Sequence, residues 1–471
     1  MRNLMNKSRR KEVFLKRRID AEPTKEMIDR VLTDDVAGRK AELRKFVELI
    51  DSIEGNFSIF LDGEWGSGKT FFVKETERIL DLVNQNTVVK VSDGDKKGLC
   101  AGIVCDEMNN SHLPIYFNAW EYDYYDNPIV PLMETVISEF RDLAGLEKEG
   151  KPIRENIVGL LKALKLNFGC SGLGIEVDFE KAIEAFENNN FLDEFNGKRE
   201  IRNRLKDLLD VAKEGRANRI VLFVDELDRC RPEYAVRTLE ALKFLFDQDY
   251  LTMVFSVNAK ALGSAVSHWY GSGFDGARYL MRFYDVKVGL GNCDAHSYLG
   301  SLGLSFDSMN DFVLRCAQRT DVTMRDANRW LESIKAIAES AAYKDSLCSM
   351  VESFCMRVLV PAAVIYSTIH PEKRDSLFAG RESDSFRDWL FEDTMYVEEI
   401  LDMPSEWFGS ANDETLLTSV EMDRDYEAAS RFEEFYDLIF SDEDPRTRTF
   451  GDTRVFHIRR TARTALGVKT A

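Results

Sequence analysis

Apolar residues along this chain fall into two patterns that take turns. Five short runs rich in β-branched and aromatic residues, at 57–61, 113–118, 219–224, 251–257 and 284–290, have the length of buried strands. Between them, apolar positions recur every three or four residues, the spacing of one helix face. Such stretches are FFVKETERILDLV, residues 128–143, and residues 233–247 with Ala235, Leu239, Leu242, Phe244 and Phe246 on one side. Strands alternating with helices predict an α/β fold whose mostly parallel sheet is covered by helices on both faces. Helical spacing also precedes the first run, at 26–32 and 40–53, and residues 87–91 and 101–104, flanking DGDKKG, read as a hairpin. Residues 145–218, charged and amphipathic around GCSGLG, read as a mostly helical insertion beside the sheet. Beyond 291 the spacing is helical to the end. The expected organisation is a basic arm over 1–31, an α/β core over 32–290, a helical lid-like domain over 291–380, and an acidic helical segment with a basic tail over 381–471.

Composition narrows the function classes. The chain has 471 residues, 44% of them hydrophobic, enough for two or three domains with cores of their own. A net charge of −19 argues against a general affinity for nucleic-acid backbone, leaving the basic termini as local exceptions. The longest apolar runs, IVLFV and VLVPAAVIY, fall well short of the ~20 residues a membrane helix needs, and no apolar segment follows the basic start. Eight cysteines without a C-x-x-C pair fit a reduced, cytoplasmic chain with thiols in its core.

The candidate chemistry starts at FSIFLDGEWGSGKT, residues 57–70. A strand breaks at Gly63 and a helix begins at Lys69, which is the context of a P-loop. In the spacing Gly63-x4-Gly68-Lys69-Thr70, glycines allow backbone N–H groups to curl around phosphate oxygens at a helix N-terminus. Lys69 would reach the β/γ-phosphates and the Thr70 hydroxyl would ligate Mg²⁺. Gly66, Ser67 and Phe71, in the same loop and first helical turn, and Trp65 inside the loop are further candidates to bind the nucleotide.

Hydrolysis needs acids as well. The run RIVLFV closes on Asp225-Glu226-Leu227-Asp228-Arg229. Asp225 is placed to hold Mg²⁺, and Glu226 is placed as the general base that activates water. At the end of the run 251–257, Asn258 is the first candidate to orient that water and Ser256 the second, with simple strand capping as the other account of Asn258. Gly38-Arg39, just before the helix leading into the first strand, resembles the entry segment of AAA-like NTPases, where the nucleotide base packs.

GEWGSGKT with its Trp65, PIYFNAWEYD at 114–123 and VDELDRC at 224–230 together resemble the KAP family of P-loop NTPases, over roughly 32–290. That family is a bacterial-rich branch of the STAND/AAA-like group, often encoded among anti-phage defence genes. YLMRFYDVKVGL is similar to its segment entering the last core strand, with Arg282 in place of a usual Lys. TMRDANRWLESI resembles the helix of its C-terminal lid, which would bring Arg325 or Arg329 near the phosphates; spaced i and i+4, the two share a helix face and could equally form surface ion pairs. The resemblance implies the additional-strand architecture, with the 251–257 strand between the two Walker strands. Many members carry transmembrane helices between the Walker motifs, and 145–218 contains none. The expected function is Mg²⁺-dependent ATP hydrolysis driving a switch or an assembly, by a homo-oligomer acting on a protein effector or answering a phage-derived trigger. A nucleotide-binding scaffold with negligible turnover and a nucleic-acid-directed motor are the alternatives.

Overall fold

The computed structural model describes residues 23–84, 94, 98–104, 108–125, 127–146, 159–160, 194–271, 273–291, 295–301, 308–320, 322–339, 354–404, 424–440 and 459. They divide between two compact units, one within Arg18–Cys293 and one within Asp294–Ala471.

In the first unit, strands β1 (Phe57–Asp62), β2 (His112–Asn118), β3 (Arg219–Asp225), β4 (Leu251–Val257) and β5 (Val286–Gly289) form one parallel sheet ordered β2-β3-β4-β1-β5. The strand that follows the Asp225 strand in the chain, β4, thus lies between β1 and β3, the additional-strand order. Every residue of β3 and β4 is buried, and this is why RIVLFVD and LTMVFSV read as near-unbroken apolar runs. Register sets Asn118 opposite Asp225, Asp225 opposite Ser256, and Asp62 opposite Val257 and Gly289. The carboxyl ends of the strands therefore line up along one edge, where open parallel sheets bind ligands.

Alternate residues of each strand feed two cores. On one face Ile59, Leu61, Phe223 and Val254 meet α1 (Lys25–Asp34), α2 (Lys40–Ser52) and α3 (Lys69–Val83) through Ile28, Phe46, Phe72 and Val73. Arg78 of α3 fixes α1 with a forked pair of bonds to Asp29, at 2.7 and 3.1 Å. On the other face Phe60, Leu222, Val224 and Phe255 meet α4 (Ile129–Leu146), α5 (Glu194–Lys213), α6 (Pro232–Leu245) and α7 (Ala259–Tyr270). Leu205, Leu208 and Leu209 of α5, the described end of the expected insertion, pack in this second core beside the sheet.

The expected hairpin is not formed in its described half. Residues 101–103 are a turn, closed by the Val104 N–H on the Cys100 carbonyl at 3.1 Å, with Leu99 and Ile103 buried in the core. Its other half, 87–91, lies outside the described residues. A short helix, α8 (Gly276–Leu280), leads into β5.

The described regular elements of the second unit are all helices, the α-helices being α9 (Ala295–Ser301), α10 (Ser308–Arg319), α11 (Met324–Glu339), α12 (Val360–Ile369), α13 (Arg374–Phe378), α14 (Ser383–Phe391), α15 (Thr394–Leu401) and α16 (Arg424–Phe440). The apolar run VLVPAAVIY is buried: its first two residues end the turn before α12 and the rest form the start of α12. Pro361 stands in its first turn and lacks an N–H, and the preceding turn, Cys355–Leu359, widens to a π-helix. No described helix is long and apolar enough to cross a membrane.

Candidate functional site

The loop after β1 is shaped by its glycines. Gly66 and Gly68 hold φ values of +89° and +88°, a region other residues enter at a cost. At Gly63 the limit is space: a Cβ there would lie 2.8 Å from Ser67 Oγ and 2.9 Å from the Leu290 carbonyl oxygen. Gly63 N–H donates to Val257 of β4 at 3.1 Å, and α3 starts with Phe72 N–H on the Gly68 carbonyl at 3.0 Å.

Inside this loop Lys69 is buried, and its ammonium donates to the carbonyls of Gly63 at 2.5 Å and Glu64 at 3.1 Å. Burial lowers the basicity of Lys69, while Asp228, Asp225 and Asp62 act on it in the opposite direction. The loop carrying Lys69 and the acidic turn after β3 flank one cleft at the end of β4, which the Trp65–Asp228 hydrogen bond spans. Thr70 and Phe71 are half-buried in the first turn of α3, and the Phe71 ring packs against the core. Ser67 is buried, and its hydroxyl has no partner within the protein.

Asp225 is 1% exposed and accepts from the Tyr116 hydroxyl at 3.0 Å and from the Glu226 N–H at 2.9 Å. Glu226 takes a left-handed backbone conformation with φ +61°, rare for a residue with a side chain. Its carboxylate lies 2.8 Å from the Arg229 guanidinium. Burial raises the affinity of Glu226 for its proton and Asp225 adds to that, against Arg229 and a hydrogen bond with Asn118. Burial, together with Asp225, also pushes the Tyr116 hydroxyl well up.

Of the two candidates for orienting water, Ser256 is fully buried with an unpartnered hydroxyl. Asn258 caps α7 by accepting from Ala261 N–H at 3.0 Å and also donates to Glu64 of the loop at 2.9 Å. Arg39 is buried, donating to the Gly291 carbonyl after β5, with Glu42 at 3.6 Å. Arg325 and Arg329 belong to the other unit, exposed on α11, with Arg329 held to Asp326 at 3.2 Å. Trp65 is half-exposed and donates its indole N–H to Asp228 at 2.6 Å.

Sequence reasoning left roles unassigned for Tyr116, Asn118, Asp228, Arg229 and Glu64. Asn118 was legible in part, as the polar residue ending a strand in FNAWEY. Arg229 pairs with Glu226 three residues before it, within one turn, while Tyr116, Asp228 and Glu64 act through contacts that only the strand order creates.

No curated protein matches the chain. A family model, the KAP family P-loop domain, matches residues 39–339, a span that covers the whole sheet and continues through α11. With the additional-strand sheet and the glycine loop facing Asp225 behind that match, this chain belongs to the KAP family of P-loop NTPases.

Proposed function

We propose that the chain is a Mg²⁺-dependent ATPase whose nucleotide state drives a conformational switch or an assembly. The observation that carries this reading is geometric: Lys69, after the β1 loop, and Asp225 with Asp228, at the end of β3, come to one end of the sheet on either side of β4, where Trp65 of the loop reaches Asp228 at 2.6 Å. The unpartnered Ser67 hydroxyl leaves a buried polar group of the loop unused by the protein, and the left-handed glycines give the loop the backbone shape in which successive N–H groups can turn to a bound anion. Lys69 and the loop amides bind the β/γ-phosphates, at the N-terminal end of α3. Thr70 and Asp225 are the donors for Mg²⁺. Among the described residues there is no cluster of three acidic, histidine or cysteine side chains, and a single carboxylate suits Mg²⁺, which binds with phosphate oxygens and water. When bound, the ion neutralises charge that develops on the transferring phosphoryl group. Glu226 takes the proton from the attacking water, and Asn118 and Arg229 orient its carboxylate.

The Glu226–Arg229 ion pair also favours a second reading, a nucleotide-binding scaffold with low turnover that presents its helical unit to a partner protein. Phosphate release separates the two. Hydrolysis that needs Mg²⁺, is lost in Lys69→Ala and Glu226→Gln, and rises with protein concentration supports the ATPase and its homo-oligomer. Equal release by wild type and Glu226→Gln removes Glu226 from the reaction. A role in bacterial anti-phage defence is proposed from family company alone.

A further inference from the structure

We propose that the turn Leu227–Arg229 is a latch across the cleft, in which the Trp65 indole N–H bound to Asp228 ties the phosphate-binding loop to the strand end carrying Glu226. Trp65 and Asp228 are then positioning residues for hydrolysis. This rests on the reading above only in taking Glu226 as the base.

Trp65 is 49% exposed, so apolar burial does not account for its place in the loop. Indole has one hydrogen-bond donor, and here it meets a carboxylate oxygen at 2.6 Å, a short charge-assisted bond. Asp228 is two residues past Glu226, in a 3₁₀ turn that opens directly after the left-handed Glu226 backbone. The next residue holds the other side of the cleft: Arg229 pairs with Glu226 at 2.8 Å, and its guanidinium carbon lies 5.4 Å from the centre of the Trp120 ring, beyond β2. One short turn thus reaches the loop through Asp228 and the β2 exit through Arg229, with Glu226 at its start.

The loop has matching ties. Glu64 binds Asn258 after β4 at 2.9 Å, and its neighbour Trp65 binds Asp228 after β3. Consecutive loop residues are therefore held to the ends of two adjacent strands. Removing the Trp65 bond leaves the loop anchored to β4 and frees its distance from Glu226, which affects the chemical step more than nucleotide capture. Trp65 acts in this account by bridging, without touching nucleotide.

Indole N–H signals of ¹⁵N-labelled protein test the bond directly, and the chain has six tryptophans. The signal missing in Trp65→Phe identifies Trp65. In Asp228→Ala that signal moves upfield while the four besides Trp65 and Trp120, whose ring lies by Arg229, hold their positions, which also shows that the fold is retained; in Asp228→Asn it moves part of the way. A Trp65 signal unmoved in Asp228→Ala overturns the latch. For its role, Trp65→Phe lowers kcat by about tenfold, the scale of one charge-assisted hydrogen bond, with ATP affinity changed by less than about threefold. In an Asp228→Ala background the same change lowers kcat by less than about twofold, because the bond is already gone and the cycle cancels the charge effect of Asp228 on Lys69. Equal losses in both backgrounds, or a loss confined to ATP affinity, refute positioning. A wild type without turnover removes the ATPase reading and the positioning role together, while the indole signals still decide whether the bond exists.

Discussion

Glu75 lies on α3 six residues past Lys69 and is 3% exposed. Burial pushes its carboxyl from 4.5 up to about 8, with Arg39 opposing and Asp35 adding to the rise. In the unfolded chain the carboxyl ionises near 4.5, so between that pH and about 8 the folded state holds a proton that the unfolded state has released. Stability must therefore fall as pH rises through this window and level off above it. At 1.36 kcal/mol per pKa unit, the whole window amounts to about 5 kcal/mol. Glu75→Gln keeps the shape and a neutral amide in place of the neutral acid, and so removes this slope. In urea unfolding followed by tryptophan fluorescence, Glu75→Gln should match wild type within about 1 kcal/mol at pH 5 and exceed it by about 3–5 kcal/mol at pH 9. Other titrating groups are common to both proteins and cancel in the difference. A constant difference across pH would refute the reasoning, because it would mean that Glu75 ionises alike in both states.

Two further outcomes follow from the site. Gly63→Ala places a methyl against the Leu290 carbonyl and the Ser67 hydroxyl, so the loop must shift; thermal unfolding should drop by the equivalent of about 1–3 kcal/mol, and ATP binding measured by fluorescence should weaken in parallel. Tyr116→Phe deletes the hydroxyl that donates to Asp225 at 3.0 Å, and the Mg²⁺ concentration for half-maximal phosphate release should rise about tenfold or more. An unchanged Mg²⁺ requirement would show that Tyr116 has no influence on the ion.

Much of this fold was legible because its signals are local. The strands β1, β3 and β4 are buried on both faces, so their apolar runs survive in the sequence as near-unbroken blocks. The glycines of the loop mark backbone that few other residues adopt. The hairpin expectation failed for the opposite reason: the short run at 101–104 is apolar because Ile103 plugs the core from a turn, and a segment that short has the same pattern in either conformation. Partners across the cleft were hidden as well. Asn118 reaches Glu226, and Tyr116 reaches Asp225, because β2 lies in register beside β3, and no spacing along the chain encodes that neighbourhood. Asn258 shows both sides of the problem, since it caps α7 as a strand-end Asn should and also binds Glu64, a contact that depends on β4 lying beside β1.

The account stands on a magnesium-bound triphosphate shared by Lys69 and Asp225. Calorimetric titration with a slowly hydrolysed ATP analogue, with and without Mg²⁺, tests this most directly. Wild type should bind at least about tenfold tighter with Mg²⁺, Asp225→Asn should keep the Mg²⁺-free affinity and lose that gain, and Lys69→Ala should bind in neither condition. Mg²⁺ tightening of Asp225→Asn equal to that of wild type, or wild-type affinity in Lys69→Ala, would contradict it.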